Sequence, residues 1–241
     1  VGNPYPSNIV FNRLFAANST KIKQLAYFWT NNNYIRGQQG NDYVDTNYAI
    51  YNGTGGSAAS GTGNTVEPDG NIKVGQGFII QKLATGTATL DFKNSYGSGQ
   101  ELKTTAAGTF YNKNETPKDR FWLQLISQND VRHTQLIGYV EGATNDFDVN
   151  FDAEALSMGS DLFYSKLNDK ELVIQGKSLF NVEDKVQLGS NFYFNGNYTI
   201  GLKKAEGVFA NGQVIYLKDN LLQTYTNLQE GTYTFSATKG I

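Results

Sequence analysis

The chain of 241 residues contains no cysteine, one histidine, four prolines and one methionine. Without cysteine there are no disulfides, thiolate metal centres or cysteine nucleophiles. A single histidine, His133, rules out any centre built on two imidazoles and leaves one candidate imidazole base. Charge is scarce too: 17% of residues are charged, 20 basic against 22 acidic, for a formal net charge of −2. That balance provides no basic footprint for nucleic acid or for an anionic membrane surface. No run of 18 apolar residues occurs, so no transmembrane segment is expected. There is no secretory h-region either, and the chain reads as a mature fragment whose targeting signal lies outside it.

Glycine and asparagine, 26 of each, are abundant, as are 15 tyrosines and 15 phenylalanines. Aromatic residues favour strands, and glycine and asparagine favour the turns between them. A chain of this length buries roughly 70–75% of its unfolded surface, enough for a core without staples. The composition therefore describes a folded, turn-rich β protein. Its surface of Asn, Thr, Ser, Gly and Tyr is of the kind found on extracellular adhesive and carbohydrate-facing modules.

Periodicity divides the chain further. A short N-terminal helix is expected from Ser7 through Phe15, with Ser7 as cap, Ile9, Val10, Arg13 and Leu14 at helical spacing, and Asn18-Ser19-Thr20 ending it. Strands are expected at 25–30, 77–81 and 88–92, and a long solvated loop at the glycine-rich stretch 52–65. A polar seam at 112–117 separates this part from a second with stronger period-2 alternation. There Phe121, Leu123 and Leu125 alternate with Trp122, Gln124 and Ile126, and residues 136–140 can return alongside. Further strands are expected at 172–174, 198–202, 214–217 and 232–235. Short strands at regular spacing give an all-β fold of antiparallel β-sandwich architecture. Two sandwich-like regions are expected, at 1–116 and 117–241, with Phe121, Leu123, Leu125, Ile200, Leu202 and Phe235 between the sheets of the second.

Four local patterns have chemical content. The glycine stretch at 52–65 precedes no amphipathic helix and lacks Gly-Lys-Ser/Thr, so it is not a phosphate cradle. His133 falls in Asn129–Thr134, which reads as a surface hairpin loop, and no Gly-x-Ser-x-Gly exists to supply a serine partner. In the run 145–154, oxygen-bearing side chains recur at alternate positions. Asp146, Asp148, Asn150, Asp152 and Glu154 are therefore a candidate Ca²⁺ set, although the glycine and glutamate of an EF-hand loop are missing. The other reading of that run is a strand or loop with a solvated acidic face. Trp29, Tyr34, Tyr43, Tyr48 and Tyr51 are a candidate sugar-stacking platform, which competes with a plain core role. No carboxylate pair stands out for glycoside hydrolysis.

Several stretches resemble a known family. Gly2-Asn3-Pro4-Tyr5-Pro6-Ser7 is similar to the "GNPYPS" signature of large secreted surface proteins of Flavobacterium-like bacteria. Tyr27-Phe28-Trp29-Thr30, residues 48–56, Gly75-Gln76-Gly77-Phe78, Arg120-Phe121-Trp122-Leu123, residues 135–145, Asp152-Ala153-Glu154, residues 172–176 and residues 215–219 follow in the same order. The resemblance spans essentially the whole chain. It implies a β-module preceding the C-terminal sorting domain of type IX secretion cargo, secreted or held on the extracellular face of the outer membrane. It implies no catalytic residue. The expectation is a non-enzymatic module acting in adhesion or surface assembly, with another cell-surface protein or a polysaccharide as partner. The alternative is a carbohydrate-binding accessory region of a secreted glycoside hydrolase.

Overall fold

The computed structural model describes residues 1–30, 48–63, 65–94, 101–104, 118–156 and 161–240. Among these residues strands dominate, with one α-helix, α1 (Phe11–Asn18). In chain order the first eight strands are β1 (Asn8–Val10), β2 (Ile22–Trp29), β3 (Tyr48–Asn52), β4 (Gly56–Ser57), β5 (Gly61–Thr62), β6 (Asn71–Ile72), β7 (Ile79–Lys82) and β8 (Lys103–Thr104). Then come β9 (Asp119–Ser127), β10 (Val131–Tyr139), β11 (Ala153–Glu154), β12 (Leu162–Leu167), β13 (Lys170–Lys177) and β14 (Leu188–Asn191). The last four are β15 (Gly196–Glu206), β16 (Tyr216–Asp219), β17 (Thr224–Asn227) and β18 (Tyr233–Ala237).

The helix starts later than its capping pattern suggests. Ile9 and Val10 are strand residues paired with Ile72 and Asn71, and Ile9 also pairs with Lys103. Two β-branched residues gain ladder contacts that outweigh the roughly 1 kcal/mol of a serine cap. Val10 occupies the cap position without a side-chain bond. At the other end, buried Asn18 accepts from the Asp91 N–H and donates to the Asp91 carbonyl. Residues 88–92, expected as a strand, are held by this side chain rather than by a ladder.

The largest sheet follows the path β14-β12-β13-β10-β9-β15-β18, with β5 also on β10 and β11 also on β13. All its ladders are antiparallel except β10 with β13, which is parallel. Laid flat, β14 and β15 would stand five strand spacings apart, about 24 Å. Yet the chain joins Asn191 to Gly196 in five steps, a reach of at most about 18 Å. The sheet must therefore curl until its ends approach. Inside the curl lie Phe121, Leu123, Leu125, Ile137, Tyr139, Phe163, Tyr198 and Ile200, with Leu202 and Phe235 half-buried against them.

The other face of β9 is not open to solvent. Trp122 and Gln124 are buried, and a second cluster joins Leu25, Tyr27 and Ile50 to Trp122, Leu136, Ala153 and Ile174. The regions expected at 1–116 and 117–241 thus share a core, and through β5 they share a sheet. The seam at 112–117 lies outside the described residues.

The glycine-rich stretch is the main correction. Residues 52–61 are buried, not solvated. A segment with almost no side chains can lie flat against a sheet, and its backbone finds partners there. Trp122 Nε1 donates to Gly56 O at 2.8 Å, Arg120 to Thr54 O at 2.7 Å and Gly53 N to Asn150 O at 2.9 Å. A Cβ at Gly56 would stand 2.1 Å from Pro68 O, so only glycine fits.

Candidate functional site

One edge of β10 is shared by two strands. β5 pairs with it at Val131–Arg132, and β13 at Leu136–Tyr139. Residues 133–135 fall in the fork, and among the described residues no strand pairs with them on that side. Side chains close the gap instead. Ser57 Oγ donates to Thr134 O at 2.9 Å and Gln135 Nε2 to Ser165 Oγ at 3.1 Å. Ser60 Oγ sits 2.8 Å from His133 Nδ1.

His133, expected on a surface loop, is 4% exposed in the middle of β10, opposite Leu125. The turn ends two residues earlier, at Val131, and the ring points into the apolar interior. Burial pushes its pKa down to about 4, so the ring is neutral at pH 7. Nδ1 is thus engaged by Ser60, which leaves the ring's other nitrogen, Nε2. That atom is buried and has no hydrogen-bond partner among the described residues; Asp161 Oδ2 stands 3.9 Å away. The Asp161 carboxyl is raised by burial and drawn back by donation to Oδ1 from Tyr193 N at 2.7 Å and Tyr198 Oη at 2.9 Å.

Ser60, His133 and Asp161 are the residue types of a nucleophilic triad, but the geometry does not form one. The serine occupies Nδ1, and 3.9 Å between Nε2 and the acid is too long for a hydrogen bond. The cavity beside them, lined by Tyr48, Ser57, Ser60, His133, Leu156 and Phe163, measures about 40 Å³. That is room for a water or two, whereas ligand pockets run to roughly 300–1,000 Å³. The cluster instead works as a polar clasp where three strands meet. Its serine and aspartate carried no sequence signal, because 73 residues separate Ser60 from His133 and only the fold unites them.

The acidic run is distributed over structural tasks. Asp148 Oδ2 accepts from Thr144 N and Oγ1, at 2.6 and 2.9 Å. Buried Asp152 accepts from Gly176 N at 2.8 Å and Asp148 N at 2.7 Å. Burial lifts its pKa to about 6, against the pull of those two N–H donors. Asn150 Oδ1 accepts from Gln24 N at 3.1 Å, and Glu154 pairs with Lys170. Asp148 and Asp152 are brought together; Asn150 and Glu154 turn to other elements, and Asp146 is exposed. Among the described residues, no three His, Asp or Glu side chains gather as a metal-holding group.

The aromatic set divides as well. Trp29, 44% exposed, meets half-buried Tyr48 edge-on, with centroids 5.0 Å apart and planes at 70°. Tyr51 is buried edge-on against Phe11 in a different cluster. Tyr34 and Tyr43 lie outside the described residues. Periodicity missed a more exposed group. The β16–β17 hairpin packs Leu217 inward and turns Tyr216, Lys218 and Tyr225 outward, with Leu221 and Leu222 at its tip. Leu221 is 90% exposed. Asp219 Oδ1 accepts from the N–H groups of Leu221 and Leu222, at 2.6 and 2.9 Å, and fixes the tip.

Fold and site together define a sheet-built module with a buried polar clasp and exposed aromatic surface. No helix among the described residues is long and apolar enough to cross a membrane. The chain belongs to the family described as a domain of unknown function, DUF8693, whose model matches residues 1–241. No curated protein and no solved structure matches it.

Proposed function

We propose that this chain is a non-enzymatic binding module of a secreted or cell-surface bacterial protein, acting in adhesion or surface assembly. The observation that carries this reading is the outward face of the β16–β17 hairpin. Tyr216, Leu221, Leu222 and Tyr225 are each more than 60% exposed on one hairpin. Contiguous exposed apolar side chains of this kind mark contact surfaces. The clasp at His133 supports the non-enzymatic part, because its serine, histidine and aspartate are not aligned as a catalytic triad and the cavity beside them is small. The partner is another cell-surface protein or a polysaccharide, with export by the type IX machinery through a sorting domain outside this chain.

The carbohydrate-binding alternative rests on Trp29 and Tyr48. A flat sugar-stacking platform needs coplanar rings, and these two stand at 70°, so the hairpin is the better-supported surface. The test is adhesion of labelled protein to whole cells and to a polysaccharide array, for wild type and the variant Tyr216→Ser/Leu221→Ser/Leu222→Ser/Tyr225→Ser. Binding lost in the variant at an unchanged melting temperature is expected. Binding unchanged in the hairpin variant but lost in Trp29→Ala would move the function to the Trp29–Tyr48 surface. Turnover on an ester or polysaccharide panel would overturn the non-enzymatic reading.

A further inference from the structure

Strand β18 ends the path of the large sheet. It pairs with β15 on one side, in unbroken register from Tyr233↔Ile200 to Ala237↔Gly196, and with no strand on the other among the described residues. Edges of this kind are normally blunted by lysine, proline or a bulge. Here Gly231 to Thr238 contains neither charge nor proline, and the β15–β18 register shows no bulge. We infer that this edge joins a second copy of the same chain, β18 against β18 in antiparallel orientation about a two-fold axis at Phe235.

Three features favour a second copy in that orientation. Full overlap of the five-residue strand centres the pairing on Phe235. Tyr233 then stands opposite Ala237 of the other copy, Thr234 opposite Ser236 and Phe235 opposite Phe235, so both half-buried faces lie on the same side. That adds a cross-strand aromatic pair to the existing row of Phe192, Tyr198, Phe235 and Tyr233, whose neighbours are 4.5 to 6.3 Å apart. The ends of the strand also carry opposite charges, Glu230 before it and Lys239 after it. Antiparallel pairing sets the Glu230 end of one copy beside the Lys239 end of the other, whereas parallel pairing would set like ends together. The hairpin tip stands at the same end, because Asp219 accepts from the Tyr233 hydroxyl. A five-residue ladder flanked by this tip buries less than the roughly 800 Å² per partner of a stable interface, so the dimer is weak and concentration-dependent.

Sedimentation equilibrium on the whole chain, from micromolar to about millimolar protein, tests this. Apparent mass should rise from one chain towards two, and amide exchange at 233–237 should slow with concentration. Thr234→Lys/Ser236→Lys places lysine opposite lysine twice and should weaken the dimer about tenfold or more. Thr234→Lys/Ser236→Glu places lysine opposite glutamate in this register and should dimerise at least as well as wild type. Both positions are exposed, and melting curves establish that each variant folds. A monomer at every concentration would overturn the inference, as would a dimer indifferent to the double lysine. Equal weakening by both variants would refute the register. If neither variant folds, the exchange measurement on wild type decides: protection at 233–237 independent of concentration refutes the edge.

Discussion

His133 is a buried neutral imidazole whose protonation can be forced by acid, and the cost follows from its position. Its pKa falls from 6.5 in the unfolded chain to about 4 in the folded one. Between these values the unfolded state binds more protons, so this residue's contribution is complete above pH 6.5 and is lost as pH falls through 4. A depression of this size corresponds to about 3 kcal/mol. That figure is a ceiling, since the Asp161 carboxylate 3.9 Å from Nε2 favours the imidazolium. Asp152 works in the opposite sense. Its folded pKa is raised from 3.8 to about 6, so it destabilises the fold as pH rises through that window. The two slopes oppose each other between pH 4 and 6. His133→Asn keeps an amide where Nδ1 contacts Ser60 and removes the titration. Urea unfolding at pH 4 and pH 7 should show the stability gap between wild type and variant shrinking by up to about 3 kcal/mol at the lower pH. A gap of the same size at both pH values would refute the assignment of a buried neutral ring.

Asp152→Asn removes one of two acceptors for buried N–H groups and should cost about 1–3 kcal/mol in urea unfolding, while steepening the acid loss due to His133. Gly56→Ala drives a methyl group into Pro68 O and should lower stability by about 1–3 kcal/mol or more, whereas Gly63→Ala, with open space around it, should cost little beyond its positive φ. Because the oxygens of Asp148, Asn150 and Asp152 already serve backbone groups, calcium and chelator should leave the melting temperature unchanged. A rise of several degrees with calcium would restore the run 146–154 as a cation site.

Alternation made β9 legible, because Phe121, Leu123 and Leu125 repeat at the period of a strand and all three proved buried. It gave no environment for Trp122 and Gln124, since a strand covered on both faces shows no polar stripe to mark its outer side. What covers them is a glycine-rich stretch whose composition is the same whether it lies in water or between sheets. Its burial depends on partners such as Arg120, Trp122 and Asn150, nearly a hundred residues away for the last. His133 was misplaced for a related reason. A turn at Asn129–Asp130 was evident, but nothing local distinguishes a histidine two residues into a buried strand from one in the loop. The hairpin face was hidden by its brevity, since β16 and β17 are four residues each.

The core joining Tyr27 and Ile50 to Leu136 and Ile174 also dictates the order in which the molecule can be completed. During synthesis from the N-terminus, β2 and β3 are available early, but one face has nothing to pack against until residue 174 has followed. That sequence separation means high contact order and slow folding, with apolar surface exposed in the interval. The same dependence runs in reverse for a fragment. Residues 118–241 produced alone would present Trp122, Leu136 and Ile174 to water where the glycine stretch should lie, and would aggregate unless residues 48–63 were supplied with them.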